Sequence, residues 1–361
     1  MSVEIWRMGA TPVPARDIGR LAREMEEHGW AGLAVGEAHG ILPDPYPTLT
    51  LAAAATTTLK VGTAVAVPLR EPVLAASAMA TVHGFSGGRA SFSIGRGDGA
   101  MKVLQRRPMR VAEFERYLRE LQGLLRGDEV DLEGAATSIG RIGLIDPSLD
   151  RPKPPVNVAA TGPRMIGVAA RWADGISFAV GADAERLCEG VATARSACRE
   201  AGRDPGELVL GCYLQLAVCD GDADRDRARE AIRGLVMTHS RFSAFEGRAL
   251  AGVTDRDHQP IRRSLDAMES VLRSSRGGMT EVAGGAPGEL DFYPRDAVDA
   301  SFVDRFAIVG DPDYCARRLG EIAALGIERI YIGTRGVGAD VAEENTRRIG
   351  RDVLPRLAAT R

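Results

Sequence analysis

The sequence predicts an α/β fold: one (β/α)8 TIM barrel over residues 1–361, with two insertions. Three observations predict it. Eight short apolar runs recur, at residues 3–8, 32–36, 60–67, 90–95, 155–160, 175–180, 208–218 and 328–333. They read as continuous rather than alternating, the pattern of parallel strands covered on both faces. Longer amphipathic segments lie between them, the alternation expected of βα units. The length is large for one domain but ordinary for a barrel with insertions. Eight units in one chain favour closure over an open doubly wound sheet.

Each element has a local reason. Segment 14–28 places Ile18, Leu21, Ala22 and Met25 on one helical face, and Gly29 stops it. Segments 47–58, 71–83, 111–126, 163–172 and 184–201 follow the same logic. Asp311 suits an N-cap with Pro312 in the first turn. A last helix is expected over residues 339–357. Two stretches break the alternation. Residues 127–154 are mixed and end in a proline-rich turn. Residues 239–304 are longer and punctuated by glycine, as in a lid, a specificity loop or an oligomer contact.

Composition narrows the function classes. Charged residues make up 26% and the net charge is -3, which gives no global pull toward nucleic acid or an anionic membrane. No run of ~18 apolar residues is present to cross a bilayer, and residues 1–9 lack a signal-peptide pattern. The five cysteines are odd in number and lack CxxC spacing. Neither a disulfide framework nor a zinc site is indicated, and a cytoplasmic location is expected.

Several motifs point to chemistry. Residues 84–88 match GxSxG, but a helix precedes Ser86 and a strand follows it. A nucleophile elbow needs the reverse order, so Ser86 reads as a turn residue. Residues 95–100 read GRGDGA after the fourth strand. Three βα units already precede them, and no helix opens directly from the glycines, which counts against a Rossmann site. They read instead as a glycine loop at the carboxyl end of a barrel strand, where barrel active sites sit. The fifth strand ends in Ala160, Thr161, Gly162 and Pro163 and runs into a helix. Unpaired N–H groups at that helix start, with Thr161 able to cap and Arg164 adding charge, make an anion site. Glu37 and His39 follow the second strand and could relay protons. His28 and His83 fall at helix ends and read as structural, and Asp174 reads as a turn. Arg106, Arg107 and Arg110 could meet an anionic cofactor tail or form a solvated face.

Segments 29–37, 59–65, 85–90, 94–98, 158–163 and 306–312, in this order, cover nearly the whole chain apart from the insertions. Together they resemble the bacterial-luciferase-like superfamily of flavin and deazaflavin enzymes. Within it the likeness is greatest to the coenzyme F420-dependent branch, which includes methylenetetrahydromethanopterin reductase. The resemblance implies a non-proline cis peptide at Ala64–Val65, bulging under the central cofactor ring. It implies a cofactor phosphate at Ala160, Thr161, Gly162 and Pro163, with Gly95, Arg96, Gly97 and Asp98 lining the other side. In deazaflavin relatives an acid is followed directly by histidine. Here Glu37 fills the acid position, Ala38 follows, and His39 comes one residue later. The proton role then falls to Glu37 or His39.

Two activities fit these features. One is hydride transfer between coenzyme F420 and a small organic substrate. The alternative is an FMN-dependent two-component monooxygenase supplied by a partner flavin reductase. A barrel that binds flavin without turnover is a third reading, from another class. Relatives usually form homodimers, and the small-residue stretches 51–55 and 75–80 could pack closely. Trp6, Tyr46, Tyr213 and Gln215 are candidate pocket residues near strand ends.

Overall fold

The computed structural model describes residues 3–9, 13–38, 42–97, 101, 104, 106–131, 141–145, 152–244, 300–333 and 339–359. Most of both insertions, with His39 and Asp98, lies outside the described residues.

Nine strands run parallel in one sheet: β1 (Glu4–Gly9), β2 (Gly32–Val35), β3 (Lys60–Thr63), β4 (Ala90–Ile94), β5 (Val156–Ala160), β6 (Gly175–Phe178), β7 (Val209–Val218), β8 (Ala307–Gly310) and β9 (Arg329–Gly333). β1 to β7 pair in sequence order except across the β7 edge, where β9 follows and returns to β1. This closes an eight-stranded barrel, and the predicted eight runs are its eight strands. β8 is an addition that the sequence reading passed over. It pairs only with the upper half of β7, Gln215 to Val218, whereas the lower half pairs with β6. A four-residue apolar run beside a long unpatterned insertion has too little periodicity to declare itself.

Helices form the outer layer: α1 (Ile18–Glu27), α2 (Pro45–Ala54), α3 (Pro72–Phe85), α4 (Val111–Arg126), α5 (Pro163–Trp172), α6 (Ala184–Glu200), α7 (Asp222–Ala244), α8 (Ala300–Phe306), α9 (Pro312–Ala324), α10 (Ala339–Arg348) and α11 (Leu354–Ala359). The starts have chemical causes. The Asp44 side chain accepts from Tyr46 N–H at the head of α2, Asp183 from Glu185 and Arg186 N–H at α6, and Asp311 from Tyr314 N–H at α9. The last predicted helix is interrupted by a π turn over Ile349–Val353. A Cβ on Gly350 would lie 2.6 Å from His28 Cβ, so glycine lets this turn press on the end of α1.

The apolar core lies between strands and helices, with outward strand residues such as Phe92, Ile94, Val158 and Leu214 fully covered. Turns are fixed by side chains reaching back to backbone. Arg89 donates to the carbonyl oxygens of Ala53, Thr56 and Leu59. Glu26 of α1 accepts from the N–H groups of Thr57, Thr58 and Leu59, fixing the chain as it enters β3. Ser86 ends α3, its hydroxyl donating to His83 O, and so is the turn residue expected. Among the described residues no helix is long and apolar enough to cross a membrane.

Candidate active site

The barrel interior changes character along its axis. At the amino ends of the strands Glu4 accepts from Trp6 Nε1 at 3.0 Å and Arg329 Nε at 2.8 Å, and it also pairs with Lys60. Above lie stacked aromatic rings, Tyr213 on Tyr331 at 4.9 Å, with Trp6 at 5.6 Å from Tyr331. A buried polar chain lies beside them. The Tyr213 hydroxyl is 2.7 Å from Ser93 Oγ, Asn157 Nδ2 donates to Ser93 Oγ at 2.9 Å, and Ser177 Oγ donates to Asn157 Oδ1 at 3.1 Å. Trp6 and Tyr213 are therefore core residues, both almost wholly buried, rather than pocket walls. Tyr46 stands outside the barrel on α2.

The next level toward the carboxyl ends is made of small residues. Gly36, Ala64, Gly95, Ala159, Ala179 and Gly333 continue β2, β3, β4, β5, β6 and β9 inward. A Cβ on Gly95 would meet Val65 Cγ1 at 3.2 Å and Ala159 Cβ at 3.5 Å, which places Gly95, Val65 and Ala159 together. Among the described residues Met8 and Gln215 bring longer side chains to this level, and a Cβ on Gly333 would lie 2.5 Å from Gln215 Nε2. Small residues at the mouth thus lie over a filled barrel interior.

The end of β3 is held on both sides. The Ala64–Val65 peptide bond is cis, as expected. Ala64 N–H donates to Val35 O at 2.8 Å and Glu37 N–H to Val65 O at 3.2 Å on the β2 side. On the β4 side Ala66 N–H donates to Ser93 O at 2.9 Å, and Gly95 N–H to Ala66 O at 3.0 Å. Thr63 Oγ1 donates to Ser93 O at 2.7 Å and accepts from Ser93 N–H at 2.9 Å, locking β3 to β4 just below.

Glu37 is buried immediately after β2. Its Oε2 accepts from Val67 N–H at 2.9 Å, and its Oε1 is 3.5 Å from Arg70 Nε. Arg70 also pairs with Asp44 and lies over the Tyr46 ring at 4.6 Å. Burial works against the Arg70 charge, but Asp44, Tyr46 and Glu37 outweigh it and raise its pKa. Burial and then the Glu37 charge push the Tyr46 phenol well above its ordinary value. Arg70 went unnoticed in the sequence, where nothing local pairs it with residues 26 and 33 positions earlier.

Gly95, Arg96 and Gly97 follow β4 as predicted. Gly97 has φ 92, and a Cβ there would lie 2.5 Å from Met101 Cγ, so glycine is required. Arg96 is half-buried, and its carbonyl oxygen accepts from Met109 N–H. Arg110 closes a capping box with Glu113 at the head of α4. Across the mouth, Ala160 ends β5 and Gly162 is the N-cap of α5, with Pro163 in the first turn and Arg164 exposed. Thr161 was expected to cap. It stands one residue too early, and no side chain caps this helix. The structure thus brings the β2, β3, β4 and β5 ends to one mouth. A groove of about 600 Å³ lies between α5 and α6 in the helix layer, running from Pro163 at the α5 start past Gly167, Arg171 and Ser196.

Comparison with known proteins gives a consistent result. The family model described as luciferase-like monooxygenase matches residues 1–329. A 5,10-methylenetetrahydromethanopterin reductase of Methanolobus tindarius is 26% identical, over 94% of this chain and 96% of that protein. The solved coenzyme F420-dependent tetrahydromethanopterin reductase of Methanopyrus kandleri superposes with a TM-score of 0.71 at 20% identity, covering 99% of this chain and all of that one. An F420-dependent secondary alcohol dehydrogenase superposes at 0.69 with 16% identity, each chain 99% covered. At such identities the structural likeness is one of fold.

Proposed function

Because the chain belongs to the luciferase-like monooxygenase family, a family of oxidoreductases, we propose that it moves a hydride between coenzyme F420 and a small organic substrate. The observation that carries this reading is the mouth itself: a floor of glycine and alanine beside a helix start without a side-chain cap. A planar ring fits the floor, and a phosphate fits the N–H groups opening α5. Relatives named as methylenetetrahydromethanopterin reductases, and structural neighbours named for coenzyme F420, support the choice of cofactor.

The residues have separable tasks. Thr161, Gly162 and Arg164 would hold the phosphate by backbone N–H groups and charge, with Ala160 and Pro163, which has no N–H to offer, shaping the turn around it. Ala64, Val65, Gly95, Arg96, Gly97 and Asp98 would bound the ring. His39, between Glu37 and Asp44 in the sequence, is our choice for handling the coupled proton. When bound, the cofactor supplies the hydride chemistry, and the protein supplies orientation and a water-poor floor. FMN and a partner flavin reductase remain the alternative outcome of the test. Fluorescence titration with F420 and with FMN checks the reading. Micromolar binding of F420 supports it, and binding of FMN alone overturns it.

A homodimer belongs to the same proposal. α2 and α3 carry no charged residue apart from the buried His83. Their outer face exposes Leu51, Leu74 and Phe85, the last two at 58%. A helix apolar on all sides calls for cover, which a second copy of the chain provides. Leu74→Glu should give a monomer in sedimentation, and a wild-type monomer would remove the idea.

A further inference from the structure

One guanidinium near the mouth joins three structures. Arg70 lies between the β3 end and α3. It contacts Glu37 at 3.5 Å, pairs with Asp44, and covers the Tyr46 ring, while its own carbonyl oxygen accepts from the Tyr117 hydroxyl of α4 at 3.0 Å. Glu37 and Asp44 lie seven residues apart in the sequence, and Arg70 joins them. The second Glu37 oxygen accepts from Val67 N–H, on the segment whose Val65 side chain enters the floor.

We propose that Arg70 and Glu37 are a positioning pair: together they fix the 64–67 segment at the floor and hold Glu37 and Asp44 at a set distance from each other. Both Glu37 oxygens already serve as acceptors, so protonating either would cost it a partner. The geometry suits holding rather than donating a proton. Arg70 suits the task because its planar fork reaches two carboxylates while its face lies on a ring, which an ammonium cannot do. The catalytic consequence rests on the F420 reading, whereas the clamp itself does not.

The test separates the two. Amide hydrogen exchange at Val67 is followed in the ligand-free protein, and F420 affinity and hydride exchange are followed in the loaded one. The variants are Glu37→Ala, Glu37→Gln, Arg70→Met, Arg70→Lys and the double Glu37→Ala/Arg70→Met. Losing the buried charge-assisted contact should speed Val67 exchange and weaken F420 binding by about tenfold or more in Glu37→Ala and Arg70→Met. The double variant should be little worse than the poorer single, since the pair acts as a unit. Glu37→Gln keeps an acceptor for Val67 N–H and should lose less than Glu37→Ala in every readout. Arg70→Lys should recover little. Unchanged Val67 exchange in Glu37→Ala overturns the clamp. Full loss of hydride exchange in Glu37→Gln with intact F420 binding makes Glu37 a proton donor and overturns the positioning role. Failure of the wild type to bind F420 defeats the functional proposal alone, and Val67 exchange still decides the clamp.

Discussion

The chain leaves β3 and β5 in opposite ways at the same mouth. Beyond β3, the N–H groups of Ala64, Ala66 and Val67 each have an acceptor within the protein, and Thr63 doubles the link to β4. Beyond β5, α5 starts from Gly162 with proline in its first turn and no capping side chain. The first end is closed by its neighbours. The second keeps its amides available. The closed end is held as a wall of the mouth, and the uncapped helix start is where we propose that an anion docks.

This contrast can be broken at its open side with the largest effect. Gly162→Asp supplies both a cap and a negative charge at the α5 start. Stability should change by no more than a few tenths of a kcal/mol, while cofactor affinity falls on the order of a hundredfold. Calorimetric melting and fluorescence titration measure the two. Equal affinity in this variant would show that the helix start holds no phosphate.

The closed side should respond the other way. Thr63→Val removes both hydrogen bonds to Ser93 and leaves the buried Ser93 N–H without its acceptor, while Ser93 O keeps the Ala66 N–H, a loss of about 2 kcal/mol in urea unfolding. Cofactor affinity should move less than twofold if β3 is held redundantly. Gly95→Ala touches both sides, because the new Cβ meets Val65 Cγ1 at 3.2 Å. We expect about a tenfold loss of affinity with less than ~1 kcal/mol of stability.

The smallest effect lies at the far end of β3. Partial burial pushes the Glu26 carboxyl up, but donors from Thr58, Leu59 and Thr57 outweigh it and bring its pKa to about 2 from an ordinary 4.5. A folded-state value below the unfolded one means that this contribution is present above pH 4.5 and is lost as pH falls to about 2. Discounted for its partial exposure, Glu26→Gln should cost about 1 kcal/mol at neutral pH. Denaturant curves for variant and wild type should converge near the low-pH limit. A constant gap at every pH would assign the loss to packing instead.

The strands and helices were legible in the sequence because burial on both faces and helical periodicity are local patterns. The ends of α4 and α5 fall where Arg126 before Gly127 and Pro163 after Gly162 put them. The site was legible as a set of loops, since glycine and proline mark where backbone must turn or approach a ligand. What escaped was pairing across the fold. Arg70 meets Glu37 and Asp44 only once the β2 and β3 ends converge, and Tyr213 joins Ser93, and through it Asn157, only inside the barrel. Trp6 and Tyr213 looked like pocket residues because strand ends adjoin the mouth. Their register places them a level lower.

The length of β7 has a consequence for where the chain tolerates change. Its lower half completes the barrel and its upper half pairs with β8, so the chain that leaves β7 returns to β7. Material can be gained or lost between residues 219 and 306 without disturbing closure. Changes of length in that excursion therefore leave the strand pairings that close the barrel in place.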